Sequence, residues 1–340
     1  MKRIQVLIWC LLFTAGAAAQ QLADVALHKK ILRGIDLTLQ QKYPEAKNLF
    51  LECTRDYPAH PAGYLYYAAT LQAEYSDYES GFDRRAFDSL LTKAQLLAES
   101  WIERNHDRVW AYYYAGTALA YRSFSQSEEG DWYGALMDGL SSAQMFERSL
   151  EQDSSFHNAQ CGLGTYYYWR SKKTESLSWL PFMPNRKNEG IILLIKARDQ
   201  STYEPSVALS SLMWIYIEEE RYDEALRSGA GILGRYPDNR SVLWGIMTAA
   251  ERKKDSVALL NTVHQLLESV EKAPVRNVYA EVTCRIKLAA AAFARGERQE
   301  AMNQCTQILY YTPMKGKTRR DIGPKLDAAR EIIRKMGRDG

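Results

Sequence analysis

The side chains that most often carry chemistry are few in this sequence and do not converge. The five histidines, His28, His60, His106, His157 and His264, form no HExxH and no pair at metal-ligand spacing. His60, His106 and His157 stand just before successive apolar helical patterns, where solvated turn residues are expected. The cysteines Cys10, Cys53, Cys161, Cys284 and Cys305 are too widely spaced for a CxxC redox pair or a zinc knuckle. Buried thiols acting as small hydrophobes are the expectation, with a bridge between Cys284 and Cys305 the alternative. Gly316-Lys317-Thr318 has the ending of a phosphate loop, but Tyr311 occupies the place of its first glycine. The GxSxG elbow of serine hydrolases is missing too, and carboxylates scattered on helix faces ordinarily serve solvation and i,i+4 pairing. A non-enzymatic chain without metal or cofactor is therefore expected.

The residues that remain chemically distinctive are aromatic. There are 22 Tyr and 8 Trp against 9 Phe. A set weighted toward rings with a polar tip suits half-exposed surfaces and grooves. Many of the tyrosines lie in the runs Tyr64–Tyr67, Tyr112–Tyr114 and Tyr166–Tyr168. A composition of 46% hydrophobic and 25% charged residues is globular, and a formal charge of +3 lacks the basic field that nucleic-acid binding needs. No nucleic-acid partner is expected.

The elements that must position these rings begin after a targeting segment. Met1-Lys2-Arg3 is a positive head, Ile4–Phe13 an apolar run, and Thr14–Ala19 a small-residue stretch. Residues 1–19 read as a signal peptide cut after Ala19, so an exported chain is expected, periplasmic first, with secretion or outer-membrane association as alternatives. Cys10 lies inside the apolar run, unlike a lipoprotein cysteine. No later stretch is long enough to span a membrane.

Past that segment the chain repeats. Glu45-Ala46, Glu224-Ala225 and Glu300-Ala301 are each followed by a proline, Pro58, Pro237 and Pro313, twelve residues after the alanine. The physical reading is a helix with an acidic first turn, a small residue at a helix crossing and a proline that ends it. Upstream lie apolar helical patterns centred on Gly34-Ile35, Ala69-Thr70, Gly116-Thr117, Gly164-Thr165, Met213-Trp214 and Met247-Thr248, with Ala289-Ala290 a weaker seventh. The step from Thr165 is 49 and from Trp214 is 34, and 34 is the period of the tetratricopeptide repeat. The sequence resembles that family over roughly 24–314, best at Leu163-Gly164-x2-Tyr167, at Ala46-x3-Phe50 with Pro58, and at Leu212-x3-Tyr216 with Ala225 and Pro237.

The resemblance implies an all-α fold, a right-handed α-solenoid of about seven stacked antiparallel helix pairs over 20–314. Residues 315–340 should supply a capping helix, opened at Gly323-Pro324 and striped by Leu326, Ala329, Ile332, Ile333 and Met336. The middle repeats are elongated, and the added residues near 76–86, 123–134 and 171–187 read as insertions that emerge side by side as a ridge or lid. Trp179-Leu180-Pro181-Phe182-Met183-Pro184 is apolar and proline-broken. Trp179, Leu180, Phe182 and Met183 then either plug the interior or form a partner-contact loop, with peripheral membrane contact the weaker branch.

The family binds extended peptides or partner helices in a concave groove lined by the first helix of each pair. The groove stripe here collects Tyr66, Tyr113, Tyr121, Tyr168, Trp169, Trp214 and Trp244, with Thr70, Thr117, Thr165 and Cys161 between them. Arg122 and Arg170 are placed to hold a carboxylate. The expected function is an exported scaffold for a protein or peptide partner in envelope assembly, secretion or trafficking. The alternative is a glycan or lipid binder using the same aromatic groove.

Overall fold

A computed structural model describes residues 20–175, 184–311 and 317–338. The signal-peptide reading of 1–19 and the contact-loop residues Trp179, Leu180, Phe182 and Met183 lie outside the described residues. Among the described residues all regular structure is helical, in fifteen helices. They are α1 (Val25–Leu39), α2 (Tyr43–Asp56), α3 (Pro61–Tyr78), α4 (Arg84–Glu103), α5 (Arg108–Glu129), α6 (Trp132–Gln152), α7 (His157–Lys173), α8 (Lys187–Gln200), α9 (Pro205–Glu218), α10 (Tyr222–Leu233), α11 (Arg240–Lys253), α12 (Ser256–Lys272), α13 (Val278–Ala294), α14 (Arg298–Leu309) and α15 (Lys317–Arg338).

Within each unit, helices adjacent in the chain pack on one another. On α5 and α6, Ser149 donates to the Val109 carbonyl, Ser142 to that of Gly116, and Ser123 to that of Ala135. Residue numbers that fall on one helix as they rise on the other define an antiparallel pair. The Glu-Ala motifs open α2, α10 and α14. Ala46, Ala225 and Ala301 are fully buried there, as a crossing point requires. Aspartate or asparagine side chains cap α1, α4, α6, α11, α12 and α13, each accepting from an N–H of the first turn.

The added length of the middle repeats is helical where insertions are expected. Around 76–86 and 123–134 the chain continues α3 to Tyr78 and α5 to Glu129, then turns within a few residues through Glu79, Gly81 and Gly130, all at positive φ. About one extra turn on α3 and two on α5 absorb residues that the sequence suggests are loop insertions. Close approach sets the stacking in two places. Phe146 of α6 is wedged between Gly116 of α5 and Gly162 of α7, where a Cβ would meet the ring at 3.0 and 2.3 Å. Gly164 of α7 and Gly190 of α8 let two backbones touch, since a Cβ on either would lie 2.7 or 2.6 Å from the other's carbonyl oxygen.

The helices gather into two compact units. The first holds the described residues up to Tyr75 together with Phe82–Ile215, and the second Ser76–Gly81 with the described residues from Tyr216 onward. In the second, Asp77 receives the Arg240 guanidinium through Nε at 2.7 Å and through a second nitrogen, and the Asp77 carbonyl accepts from Asn277 at 2.6 Å. The last helix, α15, packs on α13 and α14 through Ile322, Ala329 and Met336, flanked by Leu326, Ile332 and Ile333. It begins at Lys317 and not at Pro324. The apolar spacing 322, 326, 329, 333, 336 is continuous, so burial carries the helix through a proline that removes one backbone bond.

Candidate interaction groove

Six of the seven first helices, α9 being the exception, share one local device. A threonine donates its hydroxyl to the carbonyl four residues back: Thr38 to Gly34, Thr70 to Tyr66, Thr117 to Tyr113, Thr165 to Cys161, Thr248 to Trp244 and Thr283 to Tyr279. Residues four apart lie on one helix face, so the ring and the hydroxyl rise together. In the first unit the hydroxyls also tie neighbouring helices, Thr38 to Thr70 at 2.9 Å and Thr165 to Ser211 at 3.3 Å.

One turn below the threonines, residues from distant segments of the first unit pack against the tyrosines. The turn before α9 brings in Tyr203 and Glu204, and the segment before α1 brings in Gln20 and Leu22. Tyr113 donates to Glu204 Oε1 at 2.5 Å, and its oxygen lies 3.4 Å from that of Tyr66. The Tyr203 hydroxyl takes the Leu22 N–H at 3.2 Å and pairs with His28 Nδ1, while its N–H reaches Asn158 Oδ1 at 3.1 Å. Gln20 bonds the Ser155 carbonyl and the His157 N–H at the start of α7. Tyr66, Trp110, Tyr113, Phe156 and Tyr203 then pack ring to ring, with centroids 4.8–6.4 Å apart.

Several expected contacts are therefore interior. Tyr66, Tyr113 and Tyr168 are 8%, 1% and 0% exposed, so they pack the core and do not line a free surface. The tyrosine runs are core-edge residues: Tyr167 donates to Glu147 at 2.5 Å beneath the Arg186 guanidinium, and Tyr112 takes a bond from Arg108. A ring with a hydroxyl reaches such partners where phenylalanine does not. Arg122 is turned to Asp138 and Gln95, both at 2.8 Å, and so is not held for a ligand carboxylate. His60 is also no solvated turn residue. Its Nδ1 accepts from the Ala62 N–H, its ring meets Trp101 edge-on at 4.8 Å, and burial lowers its pKa to about 4.

What stays half-buried is the outer turn of the stripe. Tyr121, four residues beyond Thr117, lies near enough to Glu204 that burial first and then that carboxylate raise its hydroxyl pKa. Trp169, four beyond Thr165, stands edge-on to Tyr168 at 5.1 Å, and Trp214 is half-buried on α9. Arg170, at the end of α7, is half-buried as well. In the second unit Trp244 and Tyr279 lie 5.8 Å apart, with the Lys325 ammonium 4.3 Å from the Tyr279 centroid.

The electrostatics of the interior are those of held, not activated, groups. Burial raises Glu204, partly offset by the Tyr113 hydrogen bond. Burial raises the thiols as well, Cys161 well above its ordinary value, Cys53 to about 11 and Cys284 to about 12; all four described cysteines are free and buried. A raised thiol is a poor nucleophile near neutrality. Among the described residues no cluster of His, Cys, Asp or Glu is arranged to hold a metal ion, and no helix is long and apolar enough to cross a membrane. The residues invisible to sequence reasoning are Gln20, Asn158, Tyr203 and Glu204. Their partners lie from 45 to 181 positions away, beyond any local pattern.

No protein-family model matches the chain, and no curated protein matches it. Among solved structures, the C-terminal part of a TPR repeat-containing protein from Cytophaga hutchinsonii is similar at 16% identity. The match covers 86% of this chain and 99% of that one, with a TM-score of 0.46.

Proposed function

We propose that the chain is a non-enzymatic helical-repeat scaffold, exported to the periplasm, that holds a protein or peptide partner during envelope assembly, secretion or trafficking. The observation that carries this reading is the shared register of the first helices. In the first unit half-buried Tyr121 and Trp169 stand four residues beyond their threonines, with Trp214 half-buried on α9, and in the second unit half-buried Trp244 and Tyr279 stand four residues before theirs. Such rings give large contact area at low entropic cost, and in the first unit the side chains of Tyr203 and Glu204 pack beneath them. A partner is thus read at the rim of the groove. The raised thiols and the tyrosine-bound Glu204 are dressed for packing, which supports a binding role over a catalytic one.

The test is co-purification of the full chain with its partner from an envelope extract, compared with Trp169→Ala and Trp244→Ala. Loss of a protein partner in either variant, with unchanged circular dichroism, supports the reading. A saturable tryptophan-fluorescence shift with oligosaccharides or lipid, and none with peptides, overturns it in favour of a glycan or lipid binder.

A further inference from the structure

The first half of α6 carries an apolar face that stands exposed among the described residues. Trp132, Tyr133, Leu136, Met137 and Leu140 are 67, 75, 61, 45 and 41% exposed. Their spacing of i, i+1, i+4, i+5 and i+8 places all five on one side of the helix. The buried face of the same helix starts only at Ser142 and Ala143 and runs through Phe146 to Ser149. Within residues 132–140 the one charged side chain, Asp138, is turned away to Arg122 at 2.8 Å. Just ahead of the stripe, Asp131 is spent capping the helix through the Gly134 N–H. The exposed stripe is thus two turns of helix with no charge on it, and Lys173 lies at its margin over the Trp132 ring.

A contiguous uncharged patch of this kind is costly to leave in water. At about 200 Å² of surface for each large residue, these exposures amount to on the order of 600 Å², at or above the largest patch an ordinary monomer shows. The geometry points to a second copy of this chain as the occupant, with α6 of one protomer lying antiparallel against α6 of the other across a two-fold axis near Leu136. Three features select it. Two such faces bury about 1,200 Å² in all, the lower bound of a stable specific interface. A two-fold contact brings each patch onto itself, and a patch without charge meets no like-charge repulsion when it does so. A straight helical stripe is also matched best by another straight helical stripe, here through Leu and Met knobs between flanking aromatics.

The experiment is sedimentation equilibrium of the purified full chain from 1 to 100 µM, alongside Leu136→Glu and a control, Leu96→Glu, at an isolated exposed position on α4. The expected result is a dimer that L136E weakens at least 100-fold and L96E leaves unchanged. Met137→Cys supplies a second readout: because the described cysteines are buried, a short bis-maleimide should join two chains through residue 137. A chain that stays monomeric at 100 µM overturns the proposal, as does a dimer indifferent to L136E. Binding of a monomeric chain to lipid vesicles that L136E abolishes also overturns it and assigns the face to a membrane surface.

Discussion

The wedge of Phe146 between two glycines makes a prediction whose sign is opposite to the ordinary one. Replacing an exposed helical glycine by alanine gains about 1 kcal/mol, because glycine loses more backbone entropy on folding. At Gly162 the new methyl would sit 2.3 Å from Cε2 and Cζ of Phe146. The ring must move by more than 1 Å to restore contact distance, and the path away from Gly162 leads onto Gly116, where the clearance is already that of a Cβ at 3.0 Å. Phe146 is 2% exposed, so it has no route to solvent. Overpacking of this kind costs up to about 3 kcal/mol, and subtracting the helical gain leaves Gly162→Ala about 2 kcal/mol less stable. Phe146→Leu alone should cost about 1.5 kcal/mol in lost burial. In that background the added methyl fills space the ring has vacated, so the double variant should be no worse than Phe146→Leu, a coupling of about 2 kcal/mol. Urea unfolding followed by far-UV circular dichroism reads this directly. At a slope of 2–3 kcal/mol/M, Gly162→Ala lowers the midpoint of the first unit by about 0.7–1 M. An unchanged or raised midpoint, or strictly additive effects, would refute the wedge.

Three further outcomes follow from named groups. The Tyr114 hydroxyl is buried and meets no hydrogen-bond partner among the described residues, so Tyr114→Phe should raise stability by about 1 kcal/mol in the same unfolding assay. Glu204 is raised by burial in the folded chain, so its contribution is fully present at acid pH and is lost as pH rises through its folded pKa. Wild type should therefore fall relative to Glu204→Gln by up to about 1.4 kcal/mol per pH unit across that window, and pH-dependent urea midpoints that stay parallel would contradict this. Glu281 is opposite in sign: burial pushes it up, but bonds from Arg276, Tyr311 and Arg285 outweigh that and hold it at about 2. Its stabilisation, on the order of 2–3 kcal/mol, is present above the ordinary carboxylate range and lost as pH falls toward 2; Glu281→Gln should flatten the acid limb of the second unit's melting temperature.

The second helices were legible because their signal is local. Glu-Ala followed by proline at a fixed interval encodes a helix start, a crossing point and a stop within one hairpin, and Ala46, Ala225 and Ala301 sit where that code places them. Of the first-helix markers, Thr70, Thr117, Thr165 and Thr248 each bond the carbonyl four residues back, a role the sequence pattern did not reveal. The length of the middle helices was not legible, since residues 123–129 show little apolar periodicity and the turn is set by Gly130 alone. Burial of Tyr66 and Tyr113 was also hidden. Their helical spacing is that of a groove stripe, and only the arrival of Tyr203 and Glu204, more than ninety residues beyond Tyr113 in the case of Glu204, turns the stripe into core. Arg122 illustrates the same limit, because one helix face step separates a groove residue from one that reaches the neighbouring helix.

The claim that the rim rings of the first helices are the contact surface is tested most directly by site-specific photo-crosslinking. A benzophenone amino acid is placed at Trp169 or at Trp244, with exposed Leu96 of α4 as the control. After irradiation in an envelope extract, a discrete protein adduct is expected from the two rim positions and none from position 96. Adducts of equal yield from all three positions, or adducts with lipid or glycan alone, would contradict it.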